Sequence, residues 1–151
     1  IDFLFSCLAA NHIAPEMIQI EITEHIFIDN KELAIRFMNQ LREQGVGIAL
    51  DDFGAEYSSL SFLSSLPVGT IKFDREMNLR LLALEDESAM EKLIAFIKSL
   101  KLEIVAEGIE TFEDVNQLRS SGCDVIQGFY FSRPVEADVV PAIDLTVYQS
   151  N

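Results

Sequence analysis

The order of elements constrains this chain most. Hydrophobic period predicts five strands, each followed by helical material. The strands are Met17–Thr23, Val46–Leu50, Thr70–Phe73, Glu103–Ala106 and Asp124–Phe131. Between them the spacing predicts helices over Lys31–Gln44, Ser58–Leu66, Asn78–Leu84, Ser88–Leu100 and Thr111–Ser120. Asp29-Asn30 precede the first of these as caps, Gly45 closes it, and T-F-E-D at 111–114 is close to a capping box. A last short helix is expected after Pro134, interrupted by Pro141. Strand–helix alternation with nearly unbroken apolar strands predicts an α/β fold with a parallel sheet covered on its faces.

Each strand delivers a polar group at or near its carboxyl end: Glu21 and Glu24, Asp51-Asp52, Lys72 and Asp74, Glu107 and Glu110, and Gln127. Ligands of parallel α/β folds bind at that end of the sheet. The stretch I-A-L-D-D-F-G at 48–54 poses the sharpest question, because neighbouring strand residues point to opposite faces. Asp51 and Asp52 can serve one site only where the chain leaves regular geometry. Several carboxylates in one cleft need raised pKa values or a bound cation. Oxygen ligands without Cys or His suit Mg²⁺, Mn²⁺ or Ca²⁺. Two such ions about 3.5–4 Å apart can clamp a phosphoryl group for in-line displacement, with Lys72 holding water or neutralising developing charge. Taken singly, each acid has a plainer reading as a helix cap, Lys72 and Asp74 as a solvated pair, and Gln127 as a structural residue.

Composition narrows the partners. Lys and Arg number 11 against 25 Asp and Glu, a formal charge of −14. Such a surface repels a bare phosphate backbone and argues against duplex DNA or RNA. No apolar run reaches the ~20 residues of a membrane helix. Cys7 and Cys123 form no C-x-x-C and read as small core residues in a reducing compartment, as do the Phe positions in the core. His12 and His25 are unpaired in sequence. Ile1 stands at the start of an apolar run, I-D-F-L-F-S-C-L-A-A, that reads as the middle of a helix; the expectation is a part of a longer protein.

Five segments together resemble the EAL domain family, bacterial phosphodiesterases that linearise cyclic di-GMP. They are I-E-I-T-E at 20–24, I-A-L-D-D-F-G-A-E-Y-S-S-L at 48–60, L-P-V at 66–68 with I-K-F-D at 71–74, V-A-E-G-I-E-T at 105–111, and Q-G-F-Y-F-S-R-P at 127–134. The resemblance covers essentially the whole chain and implies a TIM-type barrel in a bacterial cytoplasmic protein. It implies Glu21, Asp51 and Asp52 as metal ligands, Asp51 bridging two Mg²⁺ or Mn²⁺ ions. It implies Lys72 and Glu107 at the hydrolytic water, Glu110 and Gln127 in the catalytic and substrate pocket, and Glu24 anchoring the loop after D-D-F-G. The product would be linear pGpG.

Two departures qualify that expectation. The family's E-A-L tripeptide and a later strand ending in Asn do not occur in this chain, leaving about five of eight strands: the C-terminal two-thirds of one domain over residues 1–151. Such a piece cannot close a barrel, is expected to be inactive alone, and has edges that invite a homodimer or swapped assembly. The loop usually reading Thr-Gly-Tyr-Ser-Ser is here Ala55-Glu56-Tyr57-Ser58-Ser59. This favours the alternative of a degenerate domain that senses the nucleotide or docks a protein without turnover.

Overall fold

The structure is a computed structural model that describes residues 1–23, 25–54, 63–84, 86 and 88–143. Five strands form one all-parallel sheet whose spatial order follows chain order. They are β1 (Gln19–Thr23), β2 (Gly47–Phe53), β3 (Thr70–Phe73), β4 (Glu103–Ala106) and β5 (Val125–Ile126). The helices are α1 (Asp2–Ala10), α2 (Ile26–Glu43), α3 (Arg75–Leu82), α4 (Ser88–Ser99) and α5 (Phe112–Ser120). That order, with helices in the β1–β2, β3–β4 and β4–β5 connections, is that of a stretch of (β/α) barrel wall.

Along the strands, apolar side chains alternate with polar or small ones, and the central strand β3 is buried at all its positions. Ile22, Ile48, Leu50, Ile71, Phe73, Ile104 and Ala106 point to one side and pack on Met38 and Leu41 of α2, Met90, Ile94 and Ile97 of α4, and Val115 and Leu118 of α5. Each large apolar side chain buried there is worth about 1.5–3 kcal/mol. The intervening residues, Gln19, Glu21, Ala49, Asp51, Thr70, Lys72, Glu103 and Val105, belong to the opposite face. On that face Gln19 Nε2 donates to Thr70 Oγ1 at 2.9 Å, and Thr70 Oγ1 donates to Glu103 Oε2 at 3.2 Å. Gln19 and Thr70 stand on strands two apart, about 9.5 Å from each other, and their contact passes over Gly47 and Ala49 of β2, which carry little or no side chain, whereas Thr70 and Glu103 are register partners on adjacent strands.

Local rules explain the element ends. Asn30 leaves helical geometry (φ −156°) and its Oδ1 accepts from Leu33 N, so α2 restarts there on an Asn cap. At the other end Gly45 (φ +94°) takes the left-handed turn, with Gly45 N bonded to Arg42 O and Val46 N to Leu41 O. Asp74 caps α3, accepting from Glu76 N and Met77 N, which starts that helix earlier than its apolar period suggests. Thr111 caps α5 through Asp114 N and donates to the Asp114 carboxylate.

Several expectations are corrected. Pro15–Met17 is a 3₁₀ turn, so β1 begins only at Gln19. The last strand is two residues rather than eight, and after Pro134 the described chain forms only the 3₁₀ turn Val140–Ala142. Cys7 is exposed, not core, while burial pushes the half-buried Cys123 thiol up. Of the phenylalanines, Phe53 and Phe73 are core, but Phe3 is 83% exposed and Phe37, Phe96, Phe112 and Phe129 are also exposed. The expected helix at 58–66 falls mostly outside the described residues.

Candidate active site

Lys72 organises the carboxyl ends of the strands. Its side chain is 8% exposed, and its ammonium lies 2.7 Å from Glu21 Oε1, 2.8 Å from Glu107 Oε1 and 3.1 Å from Asp51 Oδ1. Four strands thus send one charged group each, or its immediate successor, to a single point. Lys72 reaches Glu21 across β2 at Ala49, which pairs with Glu21 in register and leaves the path open. Burial alone would lower the Lys72 pKa, but the contacts with Glu107, Glu21 and Asp51 more than offset it and raise it above the ordinary lysine value. Stability from these pairs is therefore complete below the unfolded value of about 10.4 and is lost only as pH climbs through the higher folded value.

Asp51 and Asp52 do leave regular strand geometry. The β2–β3 register shifts between Leu50 and Phe53, and Asp52 sits in the left-handed region at φ +54°. The bulge turns the second acid out of simple alternation. Asp51 Oδ1 is buried, with the Lys72 ammonium 3.1 Å away as its charged neighbour.

The carboxylates gathered here test the donor set for a metal. Glu21, Asp51 and Asp52 offer hard oxygen ligands, which fits Mg²⁺ or Mn²⁺. Among the described residues no three His, Cys, Asp or Glu side chains form a metal-holding group by themselves. The donor chemistry would suit a hard ion, and Lys72 stands among the carboxylates as the resident cation.

Beside this cluster lies a groove of about 870 Å³, lined by Arg75, Glu107, Glu110, Gln127, Phe129 and Arg133 among others. Glu110 pairs with Arg75 at 3.1 Å, both half-exposed, and Arg133 lies over the Phe129 ring, 4.6 Å from its centre. Gln127 extends the β5 pairing by donating its N–H to Ala106 O, and its carbonyl accepts from Ile109 N. The structure therefore brings Glu21, Asp51, Lys72 and Glu107 together and sets Glu110 and Gln127 in the adjoining groove, with Asp52 on the exposed side of the bulge. Glu24 and the loop at 55–60 lie outside the described residues. Asp74 is a cap rather than a solvated partner of Lys72.

Arg75 and Arg133 were not among the residues singled out in sequence; R-P and D-R carry no signal by themselves, and only the fold sets both cations on one groove. Gly128 is equally specific. A Cβ there would come 1.9 Å from Ile109 O and 2.3 Å from Ile109 N, both backbone atoms. Gly128→Ala should destabilise the fold by about 2 kcal/mol, seen as a lower midpoint in denaturant unfolding; an unchanged midpoint would contradict this close crossing.

The arrangement defines the class. A profile of the EAL domain matches residues 1–134, and the chain belongs to the EAL domain family. Among curated relatives, the cyclic di-GMP phosphodiesterase NbdA of Pseudomonas aeruginosa is 35% identical over 136 residues, 89% of this chain and 17% of NbdA. The solved PaMucR phosphodiesterase, in complex with c-di-GMP, superposes with a TM-score of 0.81 at 34% identity, over 92% of this chain and 57% of that one. BlrP1 of Klebsiella pneumoniae, solved with cyclic di-GMP and calcium or manganese, gives 0.79 at 34% identity, over 88% and 34% respectively. The chain thus spans under a fifth of NbdA and just over half of the solved PaMucR chain. No helix among the described residues is long and apolar enough to cross a membrane.

Proposed function

We propose that residues 1–151 are the C-terminal two-thirds of one cyclic di-GMP phosphodiesterase domain, competent only within the longer protein that completes the barrel. The observation that carries this reading is the buried Lys72 held by Glu21, Asp51 and Glu107 from separate strands. Glu21, Asp51 and Asp52 would hold two Mg²⁺ or Mn²⁺ ions with ligands from elsewhere in the domain. Bound there, such ions polarise a phosphodiester and lower the pKa of water. The chain's own residues do the rest. Lys72 and Glu107 form a proton-bearing pair that orients a water for attack at phosphorus, with Lys72 neutralising charge that develops on the phosphoryl oxygens. Gln127 presents its amide to a base or ribose in the groove, where Arg75 and Arg133 offset the repulsion between a −14 chain and an anionic ligand. Hydrolysis of one phosphodiester gives linear pGpG. The edges β1 and β5 each have one strand neighbour among the described residues, leaving room for pairing with other segments or with a second copy in a homodimer.

The test gives the full-length protein cyclic di-GMP and Mn²⁺ and follows pGpG by chromatography. Gln127→Ala should raise KM about tenfold with a smaller change in kcat, as expected for a lost ground-state contact. Tight binding without product would instead support a nucleotide-sensing or protein-docking domain, a reading that Ala55-Glu56 in place of Thr-Gly favours. Neither binding nor product would exclude both.

A further inference from the structure

Helix α3 carries a polar side chain that the site above does not use. Asn78 is completely buried. Its Nδ2 donates to Phe73 O at 3.0 Å and to Glu107 O at 2.8 Å. Both partners are carbonyls, which only accept, so they dictate which end of the amide faces them. They also lie where two strands end. Phe73 is the residue after Lys72, and Glu107 is itself a partner of the Lys72 ammonium. At the same junction Glu107 N donates to Phe73 O at 3.0 Å.

This arrangement has a cost on its other side. Asn78 Oδ1 is buried and has no hydrogen-bond partner, a state that opposes folding. For cohesion alone, a leucine would serve at this place, as it does at Leu81 and Leu82 nearby. The return is local. Strand β4 ends at Ala106, and one residue beyond Glu107 the chain turns through Gly108 at φ +71°, with the Arg75 side chain lying against that glycine. The Glu107 carbonyl has left the ladder, and the Asn78 amide receives it.

We propose that Asn78 is a positioning residue: by clamping the ends of β3 and β4 to α3, it fixes the Glu107 carboxylate against the Lys72 ammonium. The clamp is a property of the described fold and holds whether or not the site turns over cyclic di-GMP. Its test is therefore independent of turnover.

The experiment compares full-length protein with its Asn78→Leu and Asn78→Ser variants by hydrogen exchange read by mass spectrometry, and by the rate at which Lys72 reacts with an amine-modifying reagent. Asn78→Leu should speed exchange in 71–74 and 105–110 by about three- to tenfold, leave β1 and β2 at their original rates, and raise Lys72 reactivity. Its melting temperature should change little, because the orphaned Oδ1 is gone while the Glu107 carbonyl loses its donor. Asn78→Ser keeps one hydroxyl donor and should give a smaller acceleration in the same two segments. If the leucine variant does not fold, the serine variant alone decides. Unchanged rates in those segments, unchanged Lys72 reactivity, or acceleration spread evenly over the sheet would overturn the proposal.

Discussion

Lys72→Met in the full-length protein should lower cyclic di-GMP turnover by about 10²–10³-fold, as removal of one well-placed charge-stabilising donor does. Methionine keeps the length and apolar stem of lysine and deletes only the ammonium, so the substitution separates charge from packing. Nucleotide affinity should change far less than turnover, because Lys72 faces the three carboxylates beneath the groove rather than its outer wall. The variant should also melt earlier, with Glu21, Asp51 and Glu107 left facing one another. Glu21 is 48% exposed, so water screens the cluster and the loss should stay below the about 3–5 kcal/mol typical of a broken buried pair. A Lys72→Met protein that hydrolyses cyclic di-GMP within tenfold of the parent rate would refute the role given to this residue.

Asp51→Asn is expected to cost still more in turnover, about 10³-fold or greater, since it removes several kcal/mol of charge stabilisation at the point where two ions would meet. The amide is nearly isosteric but uncharged, so it weakens the 3.1 Å contact between Asp51 Oδ1 and the Lys72 ammonium. Glu21 and Glu107 still hold the ammonium, so the stability loss should be small while Mn²⁺ affinity, followed by calorimetry, falls. Retained Mn²⁺ binding with lost turnover would move Asp51 from the metal to the water or the substrate. Retained turnover would remove it from the chemistry altogether.

Much of this site was legible because its residues stand at strand ends, where fold class alone dictates convergence. Glu21, Asp51, Lys72 and Glu107 needed only the strand–helix order to be placed at one end of a parallel sheet. The bulge at Asp51-Asp52 was foreshadowed by two adjacent acids that regular geometry would send to opposite faces. Other features were hidden for physical reasons. T-I-K-F and E-I-V-A are four residues each, too short for a period of two to stand out from a run of apolar residues. The long strand expected over 124–131 fails because Gly128 lets the chain cross the Ile109 backbone, and a turn follows, with Phe131 N bonded to Gly128 O. Asn78 was invisible as a clamp, since its partners are main-chain carbonyls, which every residue possesses.

The alternation of the strands has an outcome for how such a domain can change. Residues that hold the sheet to its helices and the polar residues of the candidate site interleave along the same four- to seven-residue segments, yet they take opposite sides. An exchange such as Glu21→Gln or Asp51→Ser rewrites the chemistry without touching one methyl group of the apolar layer. Substitutions on the polar side of such a sheet can therefore accumulate while its apolar layer, and with it the ability to fold, stays as it was.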